Sequence, residues 1–235
     1  MSGLKLITFD LDNTLWPVDE VIRQAEQQSS DWLHSRFPEA HQHLSAEMIR
    51  QYRDQLINES PGYASNLTAL RKAAIERALS AAGLSHKDAV IEANRAFEVF
   101  HRARNQVSFF PGAIDVLEHL GDSYMLGALS NGNADLRQIG IADLFSFHHS
   151  AESVGQRKPA QDMFYAALKS AGVTPQEAVH VGDHPIEDID TARRSGFHAI
   201  WANLLNLSWP EHVSSPSFHI HNLRELIDLL PLLED

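Results

Sequence analysis

The 235 residues predict an α/β protein: a doubly wound sheet of parallel strands, interrupted after its first strand by an all-helical insertion. Three observations carry this. From about residue 109 onward, short apolar runs alternate with helix-length segments. Between about Asp19 and Asn105 the periodicity is helical, with no convincing strand. Small polar clusters fall just past the carboxyl ends of the expected strands, the position where open α/β sheets bind ligands.

The elements follow in order. Leu4 to Phe9 reads as an apolar strand with Asp10 at its carboxyl end. Four helices are expected next. In one of them Leu67, Leu70, Ala74, Ala78 and Ala81 recur at spacings of three and four, a helix face. Gly83 is a natural stop for that helix, and Ser85-His86-Lys87-Asp88 opens the next as a capping box. Pro38 and Ser60-Pro61-Gly62 mark further breaks. After Phe109-Phe110-Pro111-Gly112 come a helix (112–120), a strand (124–129) ending at Ser130-Asn131, a helix (161–170), a turn capped by Thr174-Pro175-Gln176-Glu177, and a strand (178–181) ending at Gly182-Asp183. A helix (189–195), a short strand (198–201) and a terminal helix (222–230) complete the chain. The expected organisation is a core of residues 1–17 and 108–235 and a helical unit of residues 18–107.

A hydrophobic fraction of 43% is enough for a packed core, and no run of about 18 apolar residues suggests a membrane span. The N-terminal segment lacks the pattern of a secretion signal, so the cytoplasm is the expected compartment. The absence of cysteine excludes disulfides, thiolate zinc sites and a cysteine nucleophile. A formal net charge of -12 argues against nucleic acid as the main partner. A small anionic ligand remains compatible, because one local cation outweighs the global field at a few ångströms.

The most informative stretch is Phe9-Asp10-Leu11-Asp12-Asn13-Thr14-Leu15-Trp16. Two carboxylates two residues apart at a strand end repel each other, and a divalent cation resolves the repulsion. Hard oxygen donors point to magnesium. Ser130 and Asn131 offer a hydroxyl and an amide to phosphoryl oxygens, Lys158-Pro159 offers a cation, and Gly182-Asp183 through Glu187-Asp188 adds acidic oxygens. Each of these alone is an ordinary turn or a solvated side chain. Their order, each at a strand end or connecting loop, is not.

On those residues the chain resembles the haloacid dehalogenase superfamily of phosphatases, subfamily I type, whose four motifs match Asp10-x-Asp12-x-Thr14, Ser130-Asn131, Lys158-Pro159 and Gly182-Asp183 with Asp188. The resemblance spans essentially the whole chain. It implies a Rossmann-like core, a helical cap and a magnesium ion held by Asp10, Asp183 and the backbone carbonyl of Asp12. It further implies that Asp10 attacks phosphorus, that Asp12 serves as acid and then base, and that Lys158 offsets phosphate charge. Ser130, Asn131, Thr14 and Lys158 are the expected substrate-side residues, Thr14 also fixing the Asp loop. Asp188 is the expected support of Lys158 or of a magnesium-bound water, with Glu187 as runner-up. The partner is then a small phosphorylated molecule. The likeness extends to bacterial phosphatases with this cap type acting on flavin-related or sugar phosphates, one of which dephosphorylates the ribityl-aminouracil precursor of riboflavin.

Two other readings stay open: a 2-haloacid dehalogenase, and a non-catalytic module that binds a phosphorylated ligand. Dehalogenases of the superfamily lack the second aspartate, so Asp12 favours phosphoryl chemistry. Lys72 and Lys87 read as solvated helix lysines and not as Schiff-base amines. The fourteen histidines show no metalloprotease spacing, and His180 and His184 flank the Gly182-Asp183 corner without sharing a helix face. Trp16, Tyr52, Tyr63, Phe97 and Phe100 are candidates to line a cap pocket, with packing the favoured role for each.

Overall fold

The computed structural model describes residues 3–233, so positions 1–2 and 234–235 of the expected core lie outside the described residues. The chain divides into two compact units, one comprising Met1–Val18 with Val107–Asp235, the other Asp19–Gln106.

The first unit is built on a six-stranded sheet in the order β3-β2-β1-β4-β5-β6, every pairing parallel. Its strands are β1 (Leu6–Phe9), β2 (Met125–Ser130), β3 (Phe147–Ser150), β4 (Ala178–Gly182), β5 (His198–Ala202) and β6 (Phe218–Ile220). β1 and β4 are buried at every residue, as strands covered on both faces must be. Side chains alternate between two cores. Ile7, Phe9, Val179 and Val181 face one, while Leu6 and Ala178 face the other with Met163 and Phe164. The doubly wound α/β class expected from the sequence is the class observed.

β3 and β6 went unseen in the sequence because they are edge strands. Phe147-His148-His149-Ser150 is half-exposed and polar, and β6 has only three residues. Such short polar edges protect a sheet from further pairing, but they carry no apolar run to read.

The second unit holds four helices: α1 (Val18–Arg36), α2 (Ala46–Glu59), α3 (Leu67–Ala81) and α4 (His86–Arg104). The face of α3 is shifted from the expected one. Leu70, Ala74 and Ala78 are buried together with Ile75 and Leu79, whereas Leu67 and Ala81 at the ends are exposed. Alanines of α3 and α4 (Ala78, Ala89, Ala93, Ala96) share one buried cluster, while Ala74 packs with Leu56 of α2. Ser45, Asn66 and Ser85 cap the last three helices through their side chains. At Ser85 the reciprocal bond of a capping box is replaced. The hydroxyl accepts from the Asp88 N–H and donates to the Asp88 carboxylate at 2.6 Å. Gly83, with φ of 96°, follows the end of α3 as expected.

Back in the first unit, α5 (Ala113–Gly121), α6 (Leu136–Ile139), α7 (Ala151–Val154), α8 (Asp162–Ala171), α9 (Thr191–Arg194) and α10 (Glu225–Leu229) complete the described helices. The helix expected at 189–195 begins earlier, as a π-helical turn over Pro185–Asp190 that runs into α9. The expected terminal helix is shorter, α10 followed by a 3₁₀ turn over Leu230–Leu233. Among the described residues no helix is long and apolar enough to cross a membrane.

Candidate active site

The carboxyl ends of β1, β2 and β4 are neighbours in the sheet, so the segments that follow them converge. They form a cleft of about 170 Å³ lined by Asp10, Asp12, Ser130, Asn131, Asp183 and Glu187 among others. Asp10 follows β1 directly, and its N–H bonds the Val181 carbonyl of β4 at 2.9 Å, which fixes where its carboxylate emerges. The chain then turns sharply. Asn13 adopts a left-handed φ of 63°, its N–H reaches the Trp16 carbonyl at 2.7 Å, and its side chain accepts from the Val18 N–H.

Lys158 is the hub. Its ammonium is 1% exposed and donates to Asp10 Oδ1 at 2.7 Å, to Asp188 Oδ1 at 2.6 Å and to the Leu129 carbonyl at 2.8 Å. Three donor protons meet three acceptors, so the buried cation is fully satisfied. Burial alone would push this ammonium down, but Asp10 and Asp188 together outweigh it and hold it above its ordinary value. Asp188 responds in kind. Burial works against its charge, yet Lys158 and His180 hold the carboxyl far below the usual range. Asp10 goes the other way, raised by burial and by Asp188 and Asp183 more than Lys158 lowers it. Burial and Asp188 also push Asp183 up, to about 7.

Carboxylate oxygens of Asp10, Asp183 and Asp188 lie within 4.8 Å of one another. Three acids stand against one ammonium. Burial first, and then the neighbouring acids, raise the Asp10 and Asp183 carboxyls, and the donors are hard oxygens. This set fits a divalent cation. Asp188 is the least available of the three, since Lys158 and His180 occupy its Oδ1 and the His184 N–H its Oδ2. Asp10 and Asp183 remain as the natural ligands.

The other expected residues divide. The Asp12 carboxylate accepts from Trp16 Nε1 at 2.8 Å. Trp16 is thus not a cap residue: it is fully buried in the first unit, edge-on to Phe109 at 5.7 Å. Thr14 is fully buried and directs its hydroxyl at Asp10 Oδ2 at 3.4 Å, a place that fits loop fixing and not the substrate contact expected beside it. Ser130 Oγ accepts from the Gly132 N–H, leaving its own proton to donate.

The Asn131 side chain is already engaged by the protein. Its amide donates to the Lys158 carbonyl at 3.0 Å and to Glu187 at 2.9 Å, and its oxygen accepts from the Lys158 N–H at 2.8 Å. The side chain is a clasp on the lysine loop with no donor left for a phosphoryl group. Glu187 completes the clasp and pairs with Arg157 at 3.1 Å, away from the Lys158 ammonium, whereas Asp188 binds that ammonium directly. Gly182 explains why no side chain precedes Asp183, since a Cβ there would fall inside the Asp188 carboxylate.

Two residues passed over or set aside in the sequence belong to this site. Trp201 Nε1 donates to the Asp183 carbonyl at 2.7 Å, and His180 Nε2 lies 3.1 Å from Asp188 Oδ1. Both lie on strands whose apolar patterning reads as core. In the second unit, Phe97 and Phe100 are buried in packing, with the Lys72 ammonium 4.7 Å from the Phe97 ring centroid and Arg71 3.6 Å from that of Phe100.

Comparison with known proteins sets this geometry among relatives. The haloacid dehalogenase-like hydrolase family matches residues 4–196. The chain is 30% identical over 234 residues to the 5-amino-6-(5-phospho-D-ribitylamino)uracil phosphatase of Escherichia coli, covering 98% of each. It is 26% identical over 237 residues to a glyceraldehyde 3-phosphate phosphatase of Methanopyrus kandleri, covering 97% of each. Among solved structures, a 2-haloacid dehalogenase from Pseudomonas syringae is similar with a TM-score of 0.93 and 39% identity, over 97% of this chain and 99% of that one.

Proposed function

The chain belongs to the haloacid dehalogenase-like hydrolase family, and on that premise we propose that it is a magnesium-dependent phosphatase of a small phosphorylated molecule. The observation that carries this reading is the cluster of Asp10, Asp183 and Asp188 around a single buried ammonium, with a second carboxylate, Asp12, at the same cleft.

Asp10 is the nucleophile. Lys158 and Thr14 hold its carboxylate in one orientation, so attack on phosphorus starts from a fixed geometry. The step forms an aspartyl-phosphate and releases the alcohol, with Asp12 donating the proton to the leaving oxygen. Asp12 then takes a proton from the water that attacks phosphorus, which frees Asp10 and inorganic phosphate. Asp10 and Asp183 would hold magnesium, which when bound neutralises phosphoryl charge. Ser130 donates to a phosphoryl oxygen, and Asp188 keeps Lys158 aimed at Asp10.

The relative from Escherichia coli, similar over almost all of both chains, supports a phosphorylated polyol carrying a heterocycle as the first substrate to try. A second reading, carbon–halogen hydrolysis, is favoured by the 2-haloacid dehalogenase from Pseudomonas syringae. Asp12 favours phosphoryl transfer, because an acid/base partner has no leaving oxygen to protonate when halide departs. Assay of p-nitrophenyl phosphate with magnesium, beside halide release from 2-chloropropionate without it, separates the two. Turnover of the phosphate ester alone is expected. Halide release alone would overturn the reading.

A further inference from the structure

We propose that His180 is a positioning residue, whose imidazole, protonated at Nε2, orients Asp188 and through it the Lys158 ammonium. This rests on the phosphatase reading above. His180 lies in the middle of β4 and is fully buried. An imidazole buried in a sheet core is unfavourable unless both nitrogens find partners. Here both do. Nε2 lies 3.1 Å from Asp188 Oδ1, and Nδ1 lies 2.9 Å from Thr8 Oγ1. Thr8 is the residue paired with His180 in the β1–β4 register, so the sheet itself sets the second contact.

The roles follow from chemistry. An ionised carboxylate only accepts, so Nε2 carries the proton. Nδ1 of the neutral ring then accepts from the Thr8 hydroxyl at 2.9 Å, which takes that proton away from the Val179 carbonyl, the hydroxyl's other acceptor at 3.2 Å. Burial favours the neutral ring, pushing the imidazole below its ordinary value against the pull of Asp188. His180 therefore gives Asp188 a donor without adding a second cation to compete with Lys158. The carboxylate is gripped from three segments: by Lys158 from its loop, by His180 from β4 and by the His184 N–H from the turn after β4. Phe164 of α8 clamps the ring edge-on at 4.9 Å and is itself edge-on to Phe197 at 5.4 Å. With its rotation blocked, Asp188 can hold the ammonium on Asp10.

The first test needs neither metal nor turnover. In enzyme labelled with ¹⁵N-histidine, the signal identified by its loss in His180→Gln should report one neutral tautomer, protonated at Nε2. A ring protonated at Nδ1 alone, or one averaging between tautomers, would overturn the proposal. The second test is kinetic, with p-nitrophenyl phosphate and magnesium. His180→Met should lower kcat about tenfold with KM little changed. His180→Gln, whose amide nitrogen reaches the place of Nε2, should recover most of that loss. In an Asp188→Asn background His180→Met should add less than about twofold, because residues acting as a unit are not additive. Equal losses in the Met and Gln variants, or a full further tenfold loss without Asp188, would show a packing role only. If His180→Met does not fold, Thr8→Val gives the same reading with a loss of about threefold, and an unaltered kcat would count against the relay. Absence of any phosphatase turnover would sink the phosphatase reading, while the tautomer result still decides the position of the proton.

Discussion

In the first unit, Asp10, Asp183 and Asp188 face one ammonium, all four largely removed from water. In the second unit the balance is reversed and the groups are wetter. Glu92 is held by Arg36 and Arg95, and Glu26 by Arg53 and Arg71. The arginine side chains on Glu92 are about half exposed, at 46% and 53%. Glu92 and Arg71 are the exceptions: Glu92 is itself buried, and Arg71 is brought down to about 10 by burial against the pull of Glu26. Burial gives the two regions different meanings. Around Lys158 each charge is felt strongly, and the excess of acid over base is what the proposed cation would offset. On the helical unit solvent screens the pairs, and they contribute little beyond local ordering.

The contrast breaks most sharply at Asp10. Asp10→Asn should lower kcat on p-nitrophenyl phosphate by about 10⁴-fold or more, while the thermal midpoint holds or rises because a repelled carboxylate is gone. Steady-state kinetics and calorimetry read both. Lys158→Met should lower kcat about 10²- to 10³-fold and, unlike Asp10→Asn, destabilise the fold by about 3 kcal/mol, since Asp10 and Asp188 lose their shared cation. A metal titration sharpens the point. Magnesium at about 100 times its dissociation constant should stabilise the protein by about 2.7 kcal/mol, and Asp183→Asn should lose that response in thermal shift.

At the small end, Glu92→Gln should destabilise the helical unit by about 0.5 kcal/mol and leave kcat unchanged. Arg36, chiefly by its hydrogen bond, holds the Glu92 carboxyl below its ordinary 4.5. Its contribution is therefore present above that pH and lost as acid titrates the folded group. Wild-type protein should lose this increment in thermal melts below pH 4.5, and Glu92→Gln should not.

Much of this was legible in the sequence. The buried strands β1, β4 and β5 announce themselves as apolar runs, Asp10 and Asp183 by their place at strand ends, and Lys158 by a loop that could join them. The edge strands carry too little apolar content to read. The site was legible as residue types but not as partnerships. Nothing local to Asn131 says that the lysine loop consumes its amide, and nothing near His180 places Asp188 under its ring. The first joins segments 27 residues apart, and the second depends on the π-helical turn that folds Asp188 back onto β4, eight residues after His180. Glu187 and Asp188 are adjacent in sequence, and only the π-helical turn sends one to the clasp and the other to the ammonium.

The central claim is that Asp10 carries the phosphoryl group. Enzyme quenched during turnover of p-nitrophenyl phosphate with magnesium, reduced with borohydride and mapped by peptide mass spectrometry, tests it directly, because reduction converts an aspartyl-phosphate to homoserine. Homoserine at position 10, and none in Asp10→Asn, is the expected result. Homoserine at another aspartate, or turnover that leaves every aspartate unreduced, would contradict it.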